Sequence, residues 1–309
     1  MSDEALVQKA AQILKDGGLV AIPTETVYGL AADATQGKAV ARIFEAKGRP
    51  SFNPLIVHVG ERAWVSDYAQ TDERFLRLAD AYWPGPLTFV LTRREPCPIS
   101  ELVSAGLPSL ALRIPAHPLA QRILNAAQRP LAAPSANRSG TVSPTEAAHV
   151  AESLSDAVDL IVDGGTCTVG IESTVLDLTG PQAALLRPGS ITREDIEAII
   201  GPVLSATDNP HAPKSPGQLA AHYAPSIPLR MNAHTARPGE ALLGFGPSQG
   251  AALNLSPTGD LKEAAAHLFG MMRKLDDPAR FSGIAVAPIP ATGIGLAIND
   301  RLERAARGR

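Results

Sequence analysis

Only two cysteines, Cys97 and Cys167, occur in 309 residues. That is too few for a disulfide framework or a four-thiolate metal site, and it fits plain thiols in a reducing compartment. Aromatic residues are scarce, at 4% of the chain, and they are not interleaved with basic runs. A stacking platform for single-stranded nucleic acid is therefore not expected. Charged residues make up 19%, with a net charge of −3. A protein that coats nucleic acid by bulk electrostatics is excluded, although a local basic cleft is not. No apolar run approaches the roughly 20 residues that span a bilayer. The start, MSDEALVQKAAQ, is polar and acidic, without the basic and apolar regions of a signal peptide. A cytoplasmic chain with no membrane partner is expected.

The common catalytic signatures are missing as well. No G-x-x-x-x-G-K-[ST] occurs, and neither GFGPSQG (244–250) nor GIG (293–295) is a dinucleotide fingerprint. H-E-x-x-H, C-x-x-C and G-x-S-x-G are absent, and seven scattered histidines show no metal-ligand spacing.

What the chain does have is proline, 27 of them against 26 glycines, many beside apolar runs such as AIP, WPGP, RIP and LRPG. Short strands with rigid turns at their ends follow from that pattern. Helical spacing is expected at 3–16, 36–48, 61–69, 72–82 and 117–128, and in a helix from Pro144 to about Leu154. ITREDIEAII reads as a helix capped by Thr192 and Asp195. Strand-like runs lie at 19–23, 54–59, 87–92, 109–115 and 130–133, and in DLIVDGG, STVLDL and ALLRP. The interleaving predicts a mixed α/β fold with a twisted open sheet. From Gly201 the pattern lapses into linker composition, and after Ile227 a second βα pattern begins. The expected organisation is a catalytic domain at 1–204, a linker at 205–226 carrying HYAP, and a small Rossmann-like α/β domain at 227–309.

Four constellations could carry chemistry, and each has an ordinary structural explanation beside it. PTETVYGL (23–30) puts two threonines, a Glu and a Tyr at a strand's C-terminal edge, where α/β sites lie, but a self-capping polar turn looks the same. KGRP places Lys47 and Arg49 where a helix ends, with Asn53 and His58 following. The two cations suit a triphosphate, or they compensate the helix C-terminus. PSANRSGTVSP (134–144) offers Ser135, Asn137, Ser139 and Ser143 to phosphate oxygens and a ribose, or is a polar loop ending in an N-cap. Arg113 and Arg187 stand at the ends of apolar strands near Ser173, so each should meet an anion, either a structural carboxylate or a ligand.

Taken in order, PTETVYGL, K-x-R followed by NPLIVH, WPGPLT, LRIPAHP, AAPSAN, DGG, ESTV, LLRPG and SPG…HYAP resemble the threonylcarbamoyl-AMP synthase family, YrdC-like. The resemblance runs nearly continuously over 10–200, and HYAP with the domain after it resembles the family's long form. One departure is SPGQ (215–218), where the family usually shows SPGM. The resemblance implies a concave, cationic cavity binding ATP and L-threonine side by side. Lys47 and Arg49 would be catalytic. Thr26, His58, Arg113, Ala133 and Ser173 would hold L-threonine. Arg49, Asn53, Ser109, Ser135, Asn137, Ser143, Arg187 and Tyr223 would hold ATP, with Tyr223 closing over the nucleotide. Bicarbonate or CO2 would be the third substrate, Mg2+ would ride on the phosphates, and a downstream threonylcarbamoyl transferase acting on tRNA would receive the product. Competing readings are an RNA-binding module, with weak RNA binding in the cleft, and a carbamoyl-phosphate-dependent carbamoyltransferase on the same fold. A purely structural α/β protein is a further one.

Overall fold

The computed structural model describes residues 3–50, 53–205 and 222–308. The first helix, α1 (Asp3–Lys15), buries Val7, Ala10, Ala11 and Leu14 on one stripe and keeps Asp3 and Glu4 in its first turn, where the helix dipole favours them. Strands β1 (Val20–Ile22) and β2 (Gly29–Asp33) follow, then α2 (Gly37–Lys47). Gly48 ends α2 at φ 58, a left-handed conformation that suits glycine.

The chain continues through β3 (Ile56–His58), α3 (Val65–Tyr68), α4 (Glu73–Tyr82), β4 (Leu87–Thr92), α5 (Glu101–Ser104) and β5 (Ser109–Arg113). Next come α6 (Pro118–Ala127), β6 (Leu131–Ala132), α7 (Ala147–Leu154), β7 (Leu160–Ile161), β8 (Thr174–Asp177), β9 (Ala184–Arg187), α8 (Arg193–Ile200) and β10 (Leu204–Ser205). These strands form one ten-stranded sheet in the order β10-β9-β8-β4-β5-β3-β6-β2-β1-β7. The pairs β1/β7, β3/β5, β4/β8 and β9/β10 are parallel and the others antiparallel, so the sheet is mixed as expected. A second sheet, wholly parallel, is ordered β11 (Leu229–Arg230), β14 (Gly283–Val286), β12 (Glu240–Gly244), β13 (Leu253–Asn254), and is packed by α9 (Leu261–Leu275) and α10 (Ile294–Ala306).

Side-chain alternation gives the central strands two different faces. Val57, Phe89, Leu91, Leu110, Leu112 and Leu176 point into the main core under the helices. Ile56, Val90, Ala111, Val175 and Leu186 form a small apolar floor on the opposite side. Along the strands, the floor's parity continues into His58, Arg113, Thr88 and Ser173. Polar groups at the strand ends are thereby aimed at one place.

The core of the second sheet also takes in Val27, Val142, Ile171 and Tyr223, which belong to the first sheet's loops and the HYAP segment. At Gly170, φ is 75 and a Cβ would lie 2.5 Å from the Cα of Ala266 in α9. Only glycine fits so close a backbone approach between the two sheets' elements.

Several sequence expectations shift. Residues 29–33, of which only Gly29 and Leu30 fell within the expected polar turn at 23–30, are strand β2, and the short β10 and β13 carry too few residues to show a period. The helix expected from Pro144 starts at Ala147, with Glu146 at its N-cap. Ser143 caps nothing there, because its hydroxyl donates to Glu172 instead. The SPGQ segment lies outside the described residues.

Candidate active site

Thr24 organises the turn after β1. Its hydroxyl accepts from the backbone N–H of Thr26 and Val27 and donates to the carbonyl of Val27 at 2.6 Å. The turn so formed directs Thr26 inward, where its hydroxyl accepts from Arg113 Nη1 at 2.9 Å. Tyr28 serves differently from the sequence expectation. Its hydroxyl donates to Gly165 O at 2.8 Å and accepts from Gly164 N at 3.1 Å, so it braces the DGG turn and does not face the site.

The parallel register of β3 and β5 sets His58 beside Arg113. Arg113 donates to Gly85 O of the WPGP turn at 3.1 Å and to Glu25 Oε1 at 2.6 Å. Glu25 also accepts from Ala116 N. Burial and the neighbouring Arg113 charge push His58 down to about 3, so the imidazole is neutral at physiological pH. At the end of β9, Arg187 donates through Nε and Nη2 to Ser173 O at 3.0 and 2.9 Å, and Ser173 Oγ pairs with Thr88 Oγ1 at 2.8 Å. Arg49 reaches Asn53 O and Pro54 O at 3.4 and 3.0 Å.

These groups converge. One cavity is lined by Thr26, Arg49, His58, Arg113, Ala133, Ser135, Ser173, Arg187 and Tyr223 of the sequence candidates, and also by Thr24, Val27, Gly29, Ile56, Pro134, Glu172 and His222. Tyr223 is buried, stacks on Phe269 of α9 at 5.4 Å, and is held by the bond from Ala224 N to Gly140 O.

Five candidates do not line the wall. Lys47 lies behind it, 2% exposed, with Nζ donating to Ser135 O and Asn137 O at 2.5 Å each. It fixes the 134–137 loop from beneath because α2 ends there. The Asn137 side chain donates to Arg138 O and Thr141 O, closing the same loop. Ser143 is fully buried and bonded to Glu172 Oε1 at 2.5 Å. Asn53 is fully buried near the carbonyls that hold Arg49. Ser109 begins β5 opposite Thr92, four residues and roughly 13 Å along the strand from Arg113.

Cations dominate this cavity. Burial holds Lys47 well below its ordinary value and Arg49 at about 10, and it lowers Arg187 too. Mutual repulsion adds to this, Arg49 acting on Lys47, Arg187 on Arg49 and Arg301 on Arg187. Burial and the same cations keep His222 neutral. Several polar atoms here are buried without a partner among the described residues: both amide atoms of Asn53, Asn137 Oδ1, and the Nδ1 atoms of His58 and His222. Each such atom costs about 1–3 kcal/mol unless a ligand bonds to it. The clustered cations describe a site built for an anion.

Family comparison agrees. The profile described as "Telomere recombination", for the Sua5/YciO/YrdC group, matches residues 12–189. A second, described as "Threonylcarbamoyl-AMP synthase, C-terminal domain", matches 191–307. The Bacillus subtilis threonylcarbamoyl-AMP synthase is 39% identical, aligned over 100% of this chain and 95% of its own length. The chain belongs to the threonylcarbamoyl-AMP synthase family. The Pyrococcus abyssi member is 38% identical over 98% of this chain and 94% of its own length. A crystal structure of P. abyssi Sua5 complexed with L-threonine superposes with a TM-score of 0.91 at 37% identity, covering 99% of this chain and 95% of that one.

Sequence reasoning missed Glu25, Glu172, His222 and Arg301 in this family site. Glu25 and Glu172 adjoin named candidates in PTETVYGL and GIEST, and His222 adjoins Tyr223, so adjacency was a signal for those three. Arg301 had none. It sits in NDRLERAAR, which reads as the charged face of a surface helix.

Proposed function

We propose that this chain is an L-threonylcarbamoyladenylate synthase, a nucleotidyltransferase that makes threonylcarbamoyl-AMP and pyrophosphate from L-threonine, bicarbonate or CO2, and ATP. The observation that carries the reading is the convergence of Arg49, Arg113 and Arg187 on one cavity, with Lys47 directly behind it. The threonine amine adds to CO2 and loses a proton, giving a carbamate. A carbamate oxygen then bonds to the α-phosphorus of ATP as the bond to the bridging oxygen breaks and pyrophosphate leaves. Both reactants are anions, so bringing them together needs fixed positive charge in a site shielded from water.

Thr26, His58, Arg113, Ala133 and Ser173 form the threonine end. Arg113 keeps two of its five N–H groups beyond the three bonds above, enough for a carboxylate. Arg49, Ser135, Arg187 and Tyr223 form the nucleotide end, and Asn53, Ser109, Asn137 and Ser143 support or border it. Lys47 contributes its charge and holds the loop that offers Ser135. No covalent nucleophile is needed, since catalysis rests on positioning and charge. Mg2+ enters as the ATP chelate. Among the described residues no group of three or more His, Cys, Asp or Glu could hold a metal. The one carboxylate on the wall, Glu172, is already bonded to Ser143 and Arg301. Carried on the phosphates, the ion would add charge neutralisation there.

In this reading 1–204 is the catalytic domain, 205–226 the linker and 227–309 the small domain. The product passes to a threonylcarbamoyl transferase acting on tRNA in the cytoplasm. Among the described residues no helix is long and apolar enough to cross a membrane. The test is mass spectrometry of products from ATP, L-threonine and bicarbonate, with the mass of threonylcarbamoyl-AMP expected. Salt-sensitive RNA binding with no ATP turnover would instead support the RNA-binding module.

A further inference from the structure

Among the described residues Arg301 is the largest side chain to be completely buried, and it comes from α10 of the small sheet's domain. Its guanidinium crosses to the first domain. Nε donates to Glu172 Oε2 at 3.1 Å, Nη2 to Glu172 O at 3.3 Å, and Nη1 to Pro188 O at 2.8 Å. Nη1 also reaches Asp300 Oδ2 at 2.9 Å, and the guanidinium carbon lies 5.7 Å from the centre of the Tyr223 ring. Glu172 and Pro188 immediately flank Ser173 and Arg187. One planar fork therefore holds both ends of the strand pair that presents those two residues, a geometry lysine cannot reproduce.

Glu172 matters for a second reason. Among the described residues it is the only carboxylate lining the cavity, and a free carboxylate there would repel phosphate. Both its oxygens are engaged, Oε1 by Ser143 Oγ and Oε2 by Arg301 Nε.

We infer that Arg301 is a positioning residue of the nucleotide site, which neutralises and ties back the Glu172 carboxylate so that the wall stays cationic. The C-terminal domain then completes the electrostatics of a pocket whose lining is otherwise formed by the first domain and the HYAP segment. The inference rests on the synthase reading, and it adds the residue through which the second domain acts on ATP.

Calorimetric titration of the full-length protein with ATP alone tests it, on wild type, Arg301→Met, Glu172→Gln and the double variant. Arg301→Met should weaken ATP binding by at least about tenfold, because it leaves a buried carboxylate unpaired beside the phosphates. Glu172→Gln alone should weaken it less than Arg301→Met does, and the double variant should recover most of the loss, since no unpaired carboxylate is left beside the phosphates. Threonine binding, read in parallel, reports an intact fold. Where Arg301→Met loses it, Arg301→Lys takes its place: it keeps a positive charge beside Glu172 but loses the fork, so ATP affinity within a few-fold of wild type supports the charge role and a loss of about tenfold or more overturns it. An Arg301→Met protein that binds ATP like wild type overturns the inference, and so does a double variant as weak as Arg301→Met. A wild-type protein that binds no ATP overturns the synthase reading itself, and this inference with it.

Discussion

The two ends of the cavity hold their arginines in different ways. Arg113, at the proposed threonine end, is paired with the buried carboxylate of Glu25 at 2.6 Å, and Glu25 is itself anchored by Ala116 N. Arg49, at the proposed nucleotide end, bonds to the carbonyls of Asn53 and Pro54 and has no carboxylate partner among the described residues. Burial, with repulsion among the cations added, holds Arg49 at about 10 and Lys47 well below its ordinary value. One end pairs its arginine with a carboxylate before any ligand arrives, and at the other Arg49 has only carbonyl partners among the described residues. An amino acid carries both signs and needs a balanced, shaped seat. A triphosphate brings several negative charges and can supply the missing partners itself.

Substitution at Arg113 should show the contrast most strongly. Arg113→Met leaves Glu25 as a buried, unpaired anion and should destabilise the protein by about 3–5 kcal/mol, besides abolishing threonine-dependent pyrophosphate release. Denaturant unfolding and a pyrophosphate assay check both. Arg49→Met should instead leave stability within about 1 kcal/mol of wild type or raise it, while ATP affinity falls by about tenfold or more. Equal destabilisation by the two substitutions would erase the distinction between the ends.

The smallest effect is a proton. Burial and Arg49 depress Lys47, and bound phosphates would restore its charged form. ATP binding should therefore take up a proton at pH values between the depressed value of Lys47 and the ordinary 10.5. Calorimetry in buffers of different ionisation enthalpy measures this, and Lys47→Met should remove the uptake. The same depression makes the unfolded chain bind more protons in that window, so Lys47's contribution to stability rises with pH there. Arg49, held at about 10, stays charged near neutrality and adds nothing to the uptake.

Much of this was legible in the chain. The capping box at Thr192 and Asp195, the glycine stop after Lys47, and the strand at 87–92 follow from local rules, and the structure shows each; the strand expected at 109–115 is there too, ending two residues earlier at Arg113. Strand β2 was hidden because GLAAD has no alternation and both its faces are buried. The family resemblance put Lys47 in the cavity and left Tyr28 in a turn that could serve it, yet each side chain is held by backbone atoms far along the chain, Gly165 for Tyr28 and Ser135 and Asn137 for Lys47. Sequence spacing cannot report such partners.

The sequence by itself determined the mixed α/β class, the second βα unit after Ile227 and a set of polar residues placed at strand ends. Period, caps and turn residues act over a few neighbouring positions, and those are written along the chain. The tertiary structure alone decided which cations face the cavity, which lie behind it, and that a helix residue near the C-terminus reaches Glu172 across the domain boundary. Charge pairing depends on distance through space. Residues 172 and 301 become neighbours only when the second sheet packs its helices against the loops of the first.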